Sequence, residues 1–158
     1  MKKGFTLLEL LMVIMVIAIL IGIALPRFRG MVEEGNIAKA KGELRTLQIA
    51  VESYYMHNNN TYPSAASFSG SGTTSLTGQT PQIVSEIPVD PFSTSGATYK
   101  YVNGGQNDKD YVIYSVGPAG NGSADISTGG GTTPDTVTEG STGASCIYVS
   151  NLGQDTRP

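Results

Sequence analysis

Residues 1–26, MKKGFTLLELLMVIMVIAILIGIALP, open with Lys2 and Lys3, reach Gly4, and then run apolar from Phe5 to Leu25 with a single charge inside, Glu9. Coiled as a helix, 5–25 would be about 31 Å long, close to the roughly 30 Å hydrocarbon core of a bilayer. A cleaved secretory signal fits poorly. Its apolar region is usually about 7–15 residues and ends at a small-residue site, whereas this run is longer and ends in Pro26, Arg27, Phe28 and Arg29. A plain anchor explains the length but not Glu9. An acidic residue at a helix centre costs about 2.5–3.5 kcal/mol on insertion scales, so Glu9 requires a partner. Lys2 and Lys3 favour a cytoplasmic N-terminus, and Arg27 and Arg29 on the far side weaken that preference.

Helical periodicity continues past the apolar run. Ile37, Ala40, Leu44, Leu47, Val51 and Tyr54 recur in steps of three and four, one face of an amphipathic helix, while Glu33, Glu34, Lys39, Lys41, Glu43, Arg45 and Glu52 take other faces. Asn58-Asn59-Asn60 followed by Tyr62-Pro63 is a stop signal. A single helix from Phe5 to about His57 is therefore expected. Pro26 removes a backbone donor, and Gly22, Gly30, Gly35 and Gly42 lower helix propensity. His57 reads as a dipole partner at the helix end or a solvated side chain. One apolar stripe cannot stand uncovered, so the second half of the helix needs a sheet against it.

The remaining chain supplies one. Residues 63–97 read as a loop rich in Ser, Thr, Gly and Pro, with at most one short element near 82–87. Strand chemistry appears at Thr98–Val102 and Asp110–Val116, joined by turn residues Asn103–Asp108 as an antiparallel hairpin. A third strand, Ser145–Ser150, follows a long Gly/Thr stretch from Gly117 to Gly143. The expected fold class is α+β: a long N-terminal α-helix packed on a small antiparallel sheet of about three strands. The expected divisions are 1–4 leader, 5–25 membrane or filament-core helix, 26–60 amphipathic stalk and 61–158 globular head.

Composition excludes several functions. Charged residues make up 15% of the 158, the formal charge is −3, and the basic residues are scattered; clustered phosphate neutralisation is absent, so no nucleic-acid partner is expected. Cys146 is the single cysteine. It rules out an internal disulfide and reads as a small buried apolar side chain. No GxSxG, HExxH or GxxxxGK[ST] motif occurs, so no enzymatic activity is expected.

Lys3-Gly4-Phe5-Thr6-Leu7-Leu8-Glu9-Leu10 resembles the class III signal of type IV pilins and type II secretion pseudopilins. The resemblance implies cleavage between Gly4 and Phe5 by a prepilin peptidase and N-methylation of Phe5. It also implies that Glu9 meets the α-amino group of Phe5 in a neighbouring copy. A buried acid and a buried amine are tolerated in an apolar core only as a pair, and pairing would set the axial register of a homopolymer. The family further implies a bacterial inner-membrane, single-pass protein with its head in the periplasm. From there it would enter an extracytoplasmic filament through an inner-membrane assembly platform and a cytoplasmic ATPase. Pro26, Gly30 and Gly35 mark where the helix would kink or melt on assembly, the other reading of the glycines being close helix–helix approach.

Two further segments resemble the major (G-type) pseudopilins: Glu86-Ile87-Pro88-Val89-Asp90-Pro91-Phe92 running on to Tyr99-Lys100-Tyr101, and Asp110-Tyr111-Val112-Ile113-Tyr114-Ser115-Val116-Gly117-Pro118-Ala119-Gly120. In that family the next loop holds calcium. Here Ala119 replaces an Asp of the pattern and Asp125 alone matches a later carboxylate, with Asn121 and Ser123 as further oxygen donors. One carboxylate makes a weak calcium site, and a metal-free Gly-rich loop is the other reading. The function implied is a subunit of a periplasmic pseudopilus for type II protein secretion. The alternatives are a type IV pilin of a surface pilus (adhesion, motility or DNA uptake) and a membrane-tethered binding module.

Overall fold

The computed structural model describes residues 4–70, 72–80, 82–105, 109–128, 136–140 and 146–152. The chain forms two compact units, Met1–Gly35 and Asn36–Pro158. Helix α1 runs Leu7–His57 without interruption at Pro26, Gly30 or Gly35. Its start is capped: the Glu9 amide donates to Thr6 Oγ1 at 3.2 Å and the Leu10 amide to the Thr6 carbonyl at 3.2 Å. Thr6 is thus the N-cap, satisfying an amide that the helix itself leaves unpaired. Its end is closed by left-handed residues Asn59 (φ 53°) and Asn60 (φ 56°), the Asn60 amide donating back to the Tyr55 carbonyl at 3.1 Å. Asn58 Nδ2 caps the Tyr54 carbonyl at 3.0 Å. Asparagine tolerates the left-handed region better than most residues, which is why this triplet stops the helix.

In the first unit the apolar side chains from Phe5 to Leu25 are largely exposed. This stretch of α1 is long and apolar enough to cross a membrane.

In the second unit the helical stripe is the core. Ala40, Leu44, Leu47, Ala50, Val51 and Tyr54 are buried, and the partly buried Ile37 packs beside them. Facing them is a three-stranded antiparallel sheet of β1 (Lys100–Gly104), β2 (Asp110–Ser115) and a C-terminal strand (Ile147–Ser150), in the order β1, β2, C-terminal strand. Register pairs Tyr101 with Ile113 and Ile113 with Val149, so these side chains point together onto the helix. The expected hairpin is present, although its turn residues 106–108 lie outside the described residues.

Three expectations need correction. The first strand begins at Lys100, not Thr98, because Thr98 makes only an isolated bridge to Val89. The short element in the 63–97 segment is helix α2 (Ala65–Ser69), started by Ser64 Oγ accepting the Ser67 amide, and no helix or strand forms at 82–87. The Gly/Thr stretch is not all loop: β3 (Ala124–Ser127) pairs antiparallel with β4 (Thr136–Glu139), placing Ile126 opposite Val137. These two side chains and Ala124 cover the outer face of the larger sheet, packing with Val102, Val112, Tyr114, Cys146 and Tyr148. The C-terminal strand is therefore β5. Cys146 is buried, as a small apolar residue would be.

Candidate functional site

Gly4, Phe5 and Glu9 lie together at the start of α1, all exposed. Gly4 has open space where a side chain would stand, so nothing among the described residues shields the Gly4–Phe5 bond. Glu9 occupies the first turn, where the positive end of the helix dipole favours a carboxylate. A threonine cap with Glu at the third helical position is also a capping-box pattern, a local signal legible in Thr6-Leu7-Leu8-Glu9. Cutting after Gly4 would leave the Phe5 amine two residues before this helix. Gly30 and Gly35 are not obstructed, each having open space where a side chain would stand.

The loop after β2 is built differently from the start of α1. Its centre is Asp90, 2% exposed, a residue that sequence reading singled out only as part of a block. Asp90 Oδ1 accepts the Phe92 amide at 3.0 Å and Ser115 Oγ at 2.8 Å, and Oδ2 accepts the Val116 amide at 2.8 Å. Three donors to one carboxylate offset much of its desolvation. Its backbone amide binds the Ala97 carbonyl at 3.1 Å. Beyond it the Gly122 amide donates to the Val116 carbonyl at 2.8 Å. A β-carbon at Gly122 would meet that oxygen at 2.6 Å and Cys146 Cβ at 2.9 Å, so only glycine fits.

Asp125 stands exposed on β3, its Oδ1 accepting the Ile126 amide at 2.8 Å. It is the one carboxylate between Val116 and Thr128, and the Val116 carbonyl is already used by Gly122. Among the described residues no group of three or more His, Cys, Asp or Glu side chains could hold a metal. Calcium takes six to eight oxygens, several usually from carboxylates, and these donors do not fit it. Asp135 lies outside the described residues.

A third set of polar groups ties helix to sheet. Glu52 accepts Tyr111 Oη at 2.7 Å and Tyr62 Oη at 3.2 Å, and Glu43 accepts Tyr99 Oη at 2.7 Å while lying 3.8 Å from Lys39 Nζ. Tyr101 Oη donates to the Pro63 carbonyl at 2.8 Å, with its ring stacked on Phe68. Burial, first, and then the neighbouring carboxylate push Tyr62, Tyr99 and Tyr111 well above the ordinary tyrosine range. These groups fasten the fold and present no reactive pair. His57 is exposed, its Nδ1 at 2.7 Å from the Ser53 carbonyl, so it serves the helix end.

Among known families, the profile for type II secretion system (T2SS), protein G matches residues 27–129, and the prokaryotic N-terminal methylation motif matches residues 1–25. The chain belongs to the type II secretion system protein G family.

Among relatives of this family, the type II secretion system core protein G of Pectobacterium carotovorum subsp. carotovorum is 31% identical over 75% of this chain and 78% of its own. That of Escherichia coli (strain K12) is 29% identical over 75% of this chain and 83% of its own. A fimbrial protein of Pseudomonas aeruginosa is 34% identical, but over 40% of this chain and 42% of its own. No solved structure gives a significant match. The protein G relatives thus match across most of both chains, whereas the fimbrial similarity is partial.

Proposed function

We propose that this chain is the major pseudopilin of a type II secretion system, a structural subunit that polymerises through α1 into a periplasmic filament. The observation that carries the reading is family membership across residues 27–129, joined to an exposed apolar helix carrying the methylation motif. An apolar stretch with its side chains uncovered needs lipid before assembly and other copies after it. In this reading Gly4–Phe5 is cut by a prepilin peptidase and Phe5 is N-methylated. The helix sits once in the bacterial inner membrane with the head in the periplasm, and an assembly platform with a cytoplasmic ATPase drives polymerisation. Glu9 pairs with the Phe5 amine of the next copy, and Pro26, Gly30 and Gly35 give the turn in which α1 bends or extends on assembly. The loop after β2 holds its shape by Asp90 rather than by calcium.

The test is Glu9→Ala. Leader cleavage should proceed while filament yield drops at least about tenfold, as expected when a buried charge loses its partner. Native filament yield from this variant would refute the pairing. Replacing residues 5–25 with an unrelated apolar helix lacking the acid separates a filament subunit from a tethered binding module, because only the tether keeps its function.

A further inference from the structure

The segment that carries Asp90 also holds an exposed apolar side chain on a fixed backbone. Val89 bridges Thr98. Its neighbour Asp90 is bound through both carboxylate oxygens, through its amide, and through its carbonyl, which accepts the Ser93 amide at 3.0 Å. Beyond Val32 the described residues expose four large apolar side chains, Ile49, Met56, Val89 and Leu152. Ile49 lines an open groove of about 340 Å³, large enough to admit an incoming side chain, together with Thr46, Ser53 and His57 of α1 and with Ile83 and Val84. Val89 is not part of the groove. Both lie in the unit Asn36–Pro158, so their relation does not depend on the course of residues 26–35.

The two surfaces stand at different levels along α1. Asp90 binds Ser115 and Val116 at the end of β2, and Tyr99, next to the bridge partner of Val89, reaches Glu43. The start of β2 carries Tyr111 to Glu52 instead. Val89 therefore lies toward the Glu43 level. The groove, spanning Thr46 to His57, is centred about eight residues, roughly 12 Å, farther along the helix. A parallel copy displaced by that distance toward the C-terminal end of α1 brings its Val89 level with its neighbour's groove. We infer that Val89 of one copy docks against Ile49, Ile83 and Val84 in the groove of the next, an apolar contact between heads in the filament. The inference rests on the filament reading, and two features make a second copy the occupant. One wall of the groove is α1, the element through which copies polymerise, so the site continues that contact onto the head. Unlike surfaces at unlike levels also make a heterologous contact, which leaves a free loop at one end and a free groove at the other and so repeats along an open polymer instead of closing a dimer. Removing Ile49 and Val89 from water drives docking, and the clamp on Asp90 spares the cost of ordering the loop.

The experiment uses the full chain with its assembly machinery, reading pelletable filaments, leader cleavage and the amount of chain. Both side chains are exposed in the single copy, so their substitution leaves the fold intact. Val89→Asp and Ile49→Asp should each cut filament yield about tenfold, with cleavage and amount unchanged, because each buries an unpaired charge in the contact. Val89→Asp combined with Ile49→Lys should recover yield to within about threefold, the pattern of residues that touch. Single variants that assemble normally overturn the inference, as does a double variant no better than Val89→Asp alone. Ile49→Asp filaments of normal yield that fail in secretion would also overturn it, since the groove would then serve an exported protein. As a check independent of charge, copies bearing Val89→Cys mixed with copies bearing Ile49→Cys should form disulfide-linked dimers in filaments of otherwise unaltered chain. Val89→Cys mixed with Ser127→Cys, on the ribbon covering the other face of the sheet, should not. The opposite pattern overturns the inference. Absence of filaments from the unaltered chain would fail the filament reading itself, whereas normal filaments without the 89–49 cross-link fail this inference alone.

Discussion

Asp90 and Glu9 are both carboxylates in unfavourable surroundings, and they meet the problem differently. Asp90 is satisfied inside its own chain by two amides and a hydroxyl. Glu9 is exposed in the isolated chain, its amide held by Thr6, and its carboxylate is available to another copy. Asp90→Asn replaces one acceptor oxygen with a donor that must oppose an amide or the Ser115 hydroxyl. It should cost about 1.5–3 kcal/mol, the range for hydrogen bonds to a charged group, read as a lowered denaturant midpoint. Little in the local sequence could announce this role. Asp90-Pro91 reads as turn chemistry, and its partners at 115 and 116 are distant in the chain.

At the scale of elements, α1 was legible because its signals are local and repeated. The three-and-four spacing from Ile37 to Tyr54 named the buried face correctly, with Ala50 the one addition. Leu44 is fully buried there, so Leu44→Ala should destabilise the head by about 2–5 kcal/mol through lost burial and a residual cavity, measurable by thermal or denaturant unfolding. The β3–β4 ribbon was missed, since its strands are four residues each and lie in Gly- and Thr-rich sequence. A signal did exist in β2. Tyr111-Val112-Ile113-Tyr114 is apolar without alternation, which is the mark of a strand covered on both faces. Tyr111 and Ile113 meet the helix, while Val112 and Tyr114 meet the ribbon.

At the scale of the whole molecule, stability should depend on tyrosine protonation. Tyr62, Tyr99, Tyr101, Tyr111 and Tyr114 all have folded-state pKa values raised above the ordinary 10.0, chiefly by burial. Above about pH 10 the unfolded chain releases these protons while the folded chain keeps them. Their contribution is therefore complete below pH 10 and lost as pH rises above it. The melting temperature should fall steeply from pH 10 upward, less steeply in Tyr111→Phe, and a flat profile would contradict this. Calcium offers the opposite expectation. With the loop after β2 held by Asp90 and Gly122, adding calcium or a chelator should leave the melting temperature within about 1 °C, whereas bound ligand at a hundredfold excess over its Kd would stabilise by about 2.7 kcal/mol.

The sequence alone determined the long helix, its membrane-length apolar run, its stop at the asparagines and the processing motif, because each depends on neighbours within a few residues. It also determined the family, through motifs spread along the chain. Tertiary structure decided what depends on residues far apart: the ribbon that closes the second face of the sheet, the donors converging on Asp90, and the tyrosine hydroxyls anchored on Glu43 and Glu52. Buried polar groups must be satisfied wherever the chain happens to return, and no local pattern encodes that meeting point.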